Sequence, residues 1–204
     1  LMVHSRLFKI PSPVLNGCRI IHTKWGEGGR VLLSGDRMLL SRMPRLGRRA
    51  REDKVISQLR DMGIKAAFLP YALFYGLSPK GEKAFLFHHS HIDLSGSLLK
   101  GKDGGFHLIL DPDYRTGPLS DPSSVKASLD IVKQNCAEID IEVHVPKKSL
   151  TIPFSTAMVQ FSNDKVLATG GDDEVSTTVS EIVGPENLIL TDAPAVQYPL
   201  FGVQ

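Results

Sequence analysis

The sequence predicts an α/β protein assembled from one repeated unit of strand, turn, strand, helix and strand. Three observations predict it. Apolar segments come in pairs joined by tight turns rich in Gly, Asp and Asn; a segment with helical apolar spacing follows each pair; and a further short apolar strand closes each set. Three such units in tandem do not make a doubly wound sheet, in which single strands and helices alternate. They point to helices packed outside a ring of small mixed sheets, set like blades about an axis, and three units would leave that ring open. An α+β sandwich without a ring has the same order of elements.

The first unit runs from Arg30-Val31-Leu32-Leu33-Ser34 through a Gly35-Asp36 turn to Met38-Leu39-Leu40-Ser41. A helix is expected from about Ala50 to Met62, because Val55, Ile56, Leu59 and Met62 recur on one helical face. Gly63 stops it and Lys65 to Leu69 forms the closing strand. The second unit has strands at Leu94 to Leu99 and Phe106 to Leu110 around the turn Gly101 to Gly105. Asp121 and Pro122 suit the N-cap and first position of a helix carrying Val125, Leu129, Val132 and Cys136 on one face, and Ile139 to Val145 alternates as a strand. The third unit pairs Ala157 to Phe161 with Lys165 to Thr169 across Ser162-Asn163-Asp164. A helix from Asp173 to Val183 follows, with Val175, Val179 and Ile182 on one face, then Gly184-Pro185 and a strand from Asn187 to Thr191. The segment from Pro70 to Gly81 reads as a loop whose Tyr71, Phe74 and Tyr75 cover a pocket or simply pack.

Composition bounds the function. At 204 residues, 42% hydrophobic and 23% charged, the chain can bury a core of ordinary size. A formal charge of +2 does not argue for nucleic acid or an anionic membrane. No apolar run reaches the ~18 residues of a membrane span, and the first residues do not resemble a secretory leader. Two cysteines, Cys18 and Cys136, make no disulfide framework and suit a reducing compartment, so a cytoplasmic location is expected. The basic stretch Arg37, Arg42, Arg45, Arg48, Arg49 and Arg51 lacks interleaved aromatics and reads as a solvated loop and helix start. The apolar beginning and end suggest a single domain over 1–204 that is incomplete at both ends.

Two short motifs carry chemistry: Glu27-Gly28-Gly29 ahead of the first strand, and His91-Ile92-Asp93 at the entry to the second unit. One unit thus offers a carboxylate, and the next offers an imidazole and a second carboxylate at the matching place. That combination suits proton transfer on a cationic substrate. The bland alternative makes Gly28-Gly29 a turn with Glu27 exposed, and His91 a surface or core histidine. His88, His89 and His91 also permit a metal-dependent hydrolase, since His89-Ser90-His91-Ile92-Asp93 has alternating ligand spacing.

The Glu-Gly-Gly and His-x-Asp motifs, in this order and on a ββαβ repeat, resemble those of the guanidino-group-modifying enzymes: arginine and agmatine deiminases, dimethylarginine hydrolases and amidinotransferases. The resemblance covers roughly residues 20 to 204. It implies the pentein fold, a propeller of five ββαβ units, of which about three are visible here. It further implies that His91 is the general acid/base, Glu27 holds His91, and Asp93 grips the guanidinium. The family nucleophile is a cysteine near the C-terminus, expected beyond Gln204, because neither Cys18 nor Cys136 matches it. Many relatives have Asp after Glu-Gly-Gly, where this chain has Arg30.

The chemistry explains the residue types. A guanidinium carbon is a poor electrophile, so carboxylates hold its N–H groups and keep it cationic. A thiolate attacks the carbon, and a histidine first protonates the departing amine and then activates water. An amine in place of water gives amidino transfer. The resemblance implies a small cationic guanidino or amidino substrate, no cofactor, no resident metal, and no nucleic-acid or membrane partner. A homo-oligomer remains open, as does a non-catalytic pentein that only binds such ligands.

Overall fold

Short apolar runs separated by tight turns fold into several small sheets rather than one large one. In the computed structural model the described residues are 30–42, 49–70, 72–77, 83–89, 92–112, 114, 123–147, 158–161, 163–169 and 173–191. Three sheets have three strands each: β1 (Val31–Ser34), β2 (Arg37–Ser41) and β3 (Lys65–Leu69); β6 (Gly96–Lys100), β7 (Phe106–Leu110) and β8 (Ile141–His144); and β9 (Met158–Gln160), β10 (Val166–Thr169) and β11 (Leu188–Thr191). In each, the first two strands pair antiparallel and the last joins in parallel. The parallel pairing needs a long crossover, and a helix supplies it: α1 (Arg49–Arg60), α2 (Ser123–Ala137) and α3 (Asp173–Val183). The three sheets are separate and none closes on itself.

Local chemistry sets the boundaries. Gly35, at φ 54°, makes the β1–β2 turn in a backbone region that costs glycine little. Gly63, at φ 79°, follows α1 and returns its N–H to the Arg60 carbonyl at 2.9 Å. Lys65–Leu69 and Asp173–Val183 form where the apolar spacing places them.

Two segments differ from the sequence reading. The segment from Pro70 to Gly81 is not only a loop: β4 (Ala72–Leu77) pairs antiparallel with β5 (Lys83–His89) in a two-stranded sheet. A register shift between Phe74 and Tyr75 breaks the strand alternation that would have revealed it. The second unit also begins later than expected. Ile92–Leu94 is a 3-10 turn, closed by the Ser95 N–H on the Ile92 carbonyl at 2.9 Å, and β6 starts at Gly96. The predicted caps Asp121 and Pro122 lie outside the described residues.

α1 packs on the first sheet, and α2 and α3 are each shared between two sheets. Met38, Leu40, Ala66 and Phe68 cluster with Leu59 of α1. The alternate residues Leu39, Ala67 and Leu69 face the other way, against Val132 and Cys136 of α2, which also meet Leu98, Leu108 and Ile141 of the second sheet. Leu99 and Ile109, on that sheet's opposite face, pack with Met158, Val166, Val175 and Val179. The Asn135 amide fixes the α2–β3 contact by donating to the Phe68 carbonyl at 2.7 Å. At about 1.5–3 kcal/mol per large apolar side chain buried, these contacts outweigh any surface ion pair. Among the described residues, no helix is long and apolar enough to cross a membrane.

Candidate active site

The first strand of each three-stranded sheet is an edge strand. β6 touches β1 on one side and β9 on the other, and the three line one cavity of about 610 Å³. Its walls are Val31 to Ser34, Gly96 to Lys100 and Met158 to Phe161, with Gly35 and Asp164 completing them. Gly96 allows close approach: a Cβ there would stand 3.0 Å from the Ile109 carbonyl oxygen. At one end Gln160 joins β9 to β6. Its amide accepts from the Lys100 N–H at 2.7 Å and donates to the Lys100 carbonyl at 2.8 Å. Lys100 Nζ lies 3.9 Å from Asp164.

The opposite end of β6 follows the turn that carries Asp93. The 3-10 turn Ile92–Leu94 rests against β1 and β6. Ile92, 1% exposed, is anchored in the core, and Asp93 beside it is half-buried. Glu27 and His91 lie outside the described residues, as do Gly28, Gly29 and Cys18. Of the three expected site residues, the structure positions Asp93. His88 and His89 belong to β5, opposite Leu73 and Ala72.

Cys136 is fully buried on α2, and burial pushes its thiol up to about 12. A thiol held protonated in the core is no nucleophile. Burial likewise raises the Tyr114 phenol, whose hydroxyl donates to the Pro70 carbonyl.

One grouping was not foreseen as a site. His107 of β7 with Glu142 and His144 of β8 bring one donor atom each to within 4.8 Å of one another. The sequence marks His107 as mid-strand and His144 as near a strand end. It gives no register between strands on either side of a helix, so their meeting is not legible there.

No family model matches the chain, and no curated protein matches it. Solved structures do. An agmatine deiminase of C. jejuni is 15% identical with a TM-score of 0.49, over 89% of this chain and 55% of that one. The N-terminal domain of ArgZ, an arginine dihydrolase of Cyanobacteria, is 15% identical with a TM-score of 0.40, over 89% and 61%. The DDAH of Pseudomonas aeruginosa is 14% identical with a TM-score of 0.33, over 79% and 50%. All three are guanidino-modifying enzymes, the group whose motifs the sequence resembles. The chain spans between 50% and 61% of the length of these structures.

Proposed function

We propose that the chain is part of a pentein-type α/β propeller that hydrolyses or transfers an amidino group of a small guanidino compound. The observation that carries the reading is the convergence of β1, β6 and β9 on one cavity. Glu27-Gly28-Gly29 precedes the first of these strands in the sequence and His91-Ile92-Asp93 the second, and the reading takes both motifs to serve that cavity. Asp93 is half-buried on the turn that rests against β1, and in this reading its carboxylate accepts from the N–H groups of a guanidinium. His91 transfers the proton: it protonates the leaving amine, then takes a proton from the attacking water or amine. Glu27 holds the imidazole and favours its protonated form. The nucleophile in this reading is the cysteine thiolate that the motif resemblance implies beyond Gln204; the buried Cys136, its thiol pushed up to about 12, does not suit the role.

The test is a substrate screen on the protein extended past Gln204, following release of ammonia or amine and formation of a ureido product. Turnover is expected with a guanidino compound. His91→Ala abolishes it while the melting temperature stays close to that of the wild type. Asp93→Asn raises KM at least about tenfold, as expected for losing a charge-assisted hydrogen bond worth about 1.5–3 kcal/mol. Unchanged turnover in His91→Ala would end the assignment. Binding of a guanidino ligand with no turnover in the extended protein would leave a binding module instead.

A further inference from the structure

On the sheet face that carries Leu99 and Ile109 against α3, three side chains depart from the apolar scheme. Parallel register sets His107 beside Glu142 and Ile109 beside His144, and strand alternation then puts all three polar residues on one face. His107 is 7% exposed. Its Nδ1 lies 3.0 Å from His144 Nε2, and the Glu142 carboxylate oxygens lie 3.6 Å from His107 Nδ1 and 3.8 Å from His144 Nε2. A tetrahedral zinc ion with nitrogen and oxygen ligands at about 2.0–2.2 Å separates those ligands by roughly 3.3 Å. The two ring nitrogens stand near that spacing already, and with one Glu142 oxygen the three donors lie within 4.8 Å of one another, so a small rotation of the exposed Glu142 side chain closes the set.

The surroundings agree. His107 Nε2, the other ring nitrogen, is buried without a hydrogen-bond partner and points to Asp103 Oδ1 at 3.5 Å. Asp103 is itself held by the Gly105 N–H at 2.8 Å. A histidine bound to metal commonly turns its second N–H to a carboxylate in this way, which fixes its tautomer. Glu181 of α3 adds negative charge around the cluster. No Lys or Arg occurs in α3. Among the described residues, the ion contacts of Glu142 are to the two histidines.

We propose that His107, Glu142 and His144 form a binding site for a divalent cation of the zinc class, with Asp103 positioned behind His107 and water completing the coordination. The cation occupies the place of the proton now between the two rings. It ties β7 to β8, and it is independent of the guanidino chemistry assigned to the cavity. Glu142, 67% exposed, gives solvent a route to the ion.

The test is titration of the full chain with zinc, and with cobalt as a spectroscopic substitute. The wild-type protein binds one equivalent, shows the intense visible bands of tetrahedral cobalt, and melts at a higher temperature with metal, because only the folded state has the site. Asp103→Asn weakens zinc binding by about 10–100-fold. Glu142→Gln and His144→Asn weaken it further and remove the cobalt bands. Both change side chains at the accessible edge of the cluster, and circular dichroism of each metal-free variant verifies its fold. Zinc affinity unchanged in folded Glu142→Gln and His144→Asn would place the metal elsewhere on the chain and overturn the proposal, as would cobalt bound without tetrahedral bands.

Discussion

The joint between the first and second sheets and the joint between the second and third solve one problem with opposite charges. At the first joint, Arg37 lies in parallel register with Lys65, one pleat from Leu39 and Ala67, on the face turned to α2. The matching positions of the second sheet hold His107 and Glu142, one pleat from Ile109 and His144, on the face turned to α3. Arg37 Nε donates to the Ile139 carbonyl at 2.6 Å, and its guanidinium reaches Asp140 at 3.3 Å. Lys65 Nζ donates to the same carboxylate at 2.6 Å. Ile139 and Asp140 follow the C-terminus of α2, where cations are favoured. The guanidinium also lies 4.8 Å over the Phe106 ring of the next sheet. At the second joint the sheet offers imidazoles and a carboxylate, and α3 answers with Glu181. Where the sheet supplies its own cations, the next helix end docks on them directly. Where it supplies lone pairs, the proposed cation comes from solution.

Four substitutions probe how far the likeness of the joints extends. The largest effect belongs to what they share. Leu39 and Ile109 are both 0% exposed at matching positions. Leu39→Ala and Ile109→Ala should each cost about 2–5 kcal/mol in urea unfolding; a small loss at one of them would mean that joint is not packed as described. Arg37→Met comes next. It leaves the Ile139 carbonyl without its donor, which costs about 1–3 kcal/mol. The smallest effect is electrostatic. The hydrogen bond from Lys65, with the charges of Lys65 and Arg37, holds the Asp140 carboxyl below its ordinary value of 3.8. A carboxyl depressed in the folded state contributes stability above its unfolded pKa and loses it as pH falls through the folded one. Asp140→Asn, which tolerates the φ of 57° found there, should therefore lower the melting temperature at neutral pH slightly and flatten its decline below about pH 4. An unaltered acid profile would remove Asp140 from the first joint.

The elements that sequence reading captured are those whose pattern is local. The helix Asp173–Val183 and the strand Lys65–Leu69 follow from apolar spacing and a glycine or proline beside them. β4 and β5 were hidden because Pro70, Pro79 and Gly81 punctuate a segment whose alternation slips at Phe74 and Tyr75. Asp93 was legible as a candidate ligand, but its place on a 3-10 turn depends on Ile92 finding the core formed with Leu98 and Leu108. Glu27 and His91 stand on their motifs alone. The meeting of His107, Glu142 and His144 is set by a parallel register that α2 makes possible across the intervening chain, and no spacing within either strand encodes it.

An anomalous difference map at the zinc absorption edge, from crystals grown with one equivalent of zinc, separates the two joints most directly. A peak bounded by His107 Nδ1, the Glu142 carboxylate and His144 Nε2, with none beside Arg37 and Asp140, is the expected result. A second joint without density, its two imidazoles still sharing a proton, would contradict it.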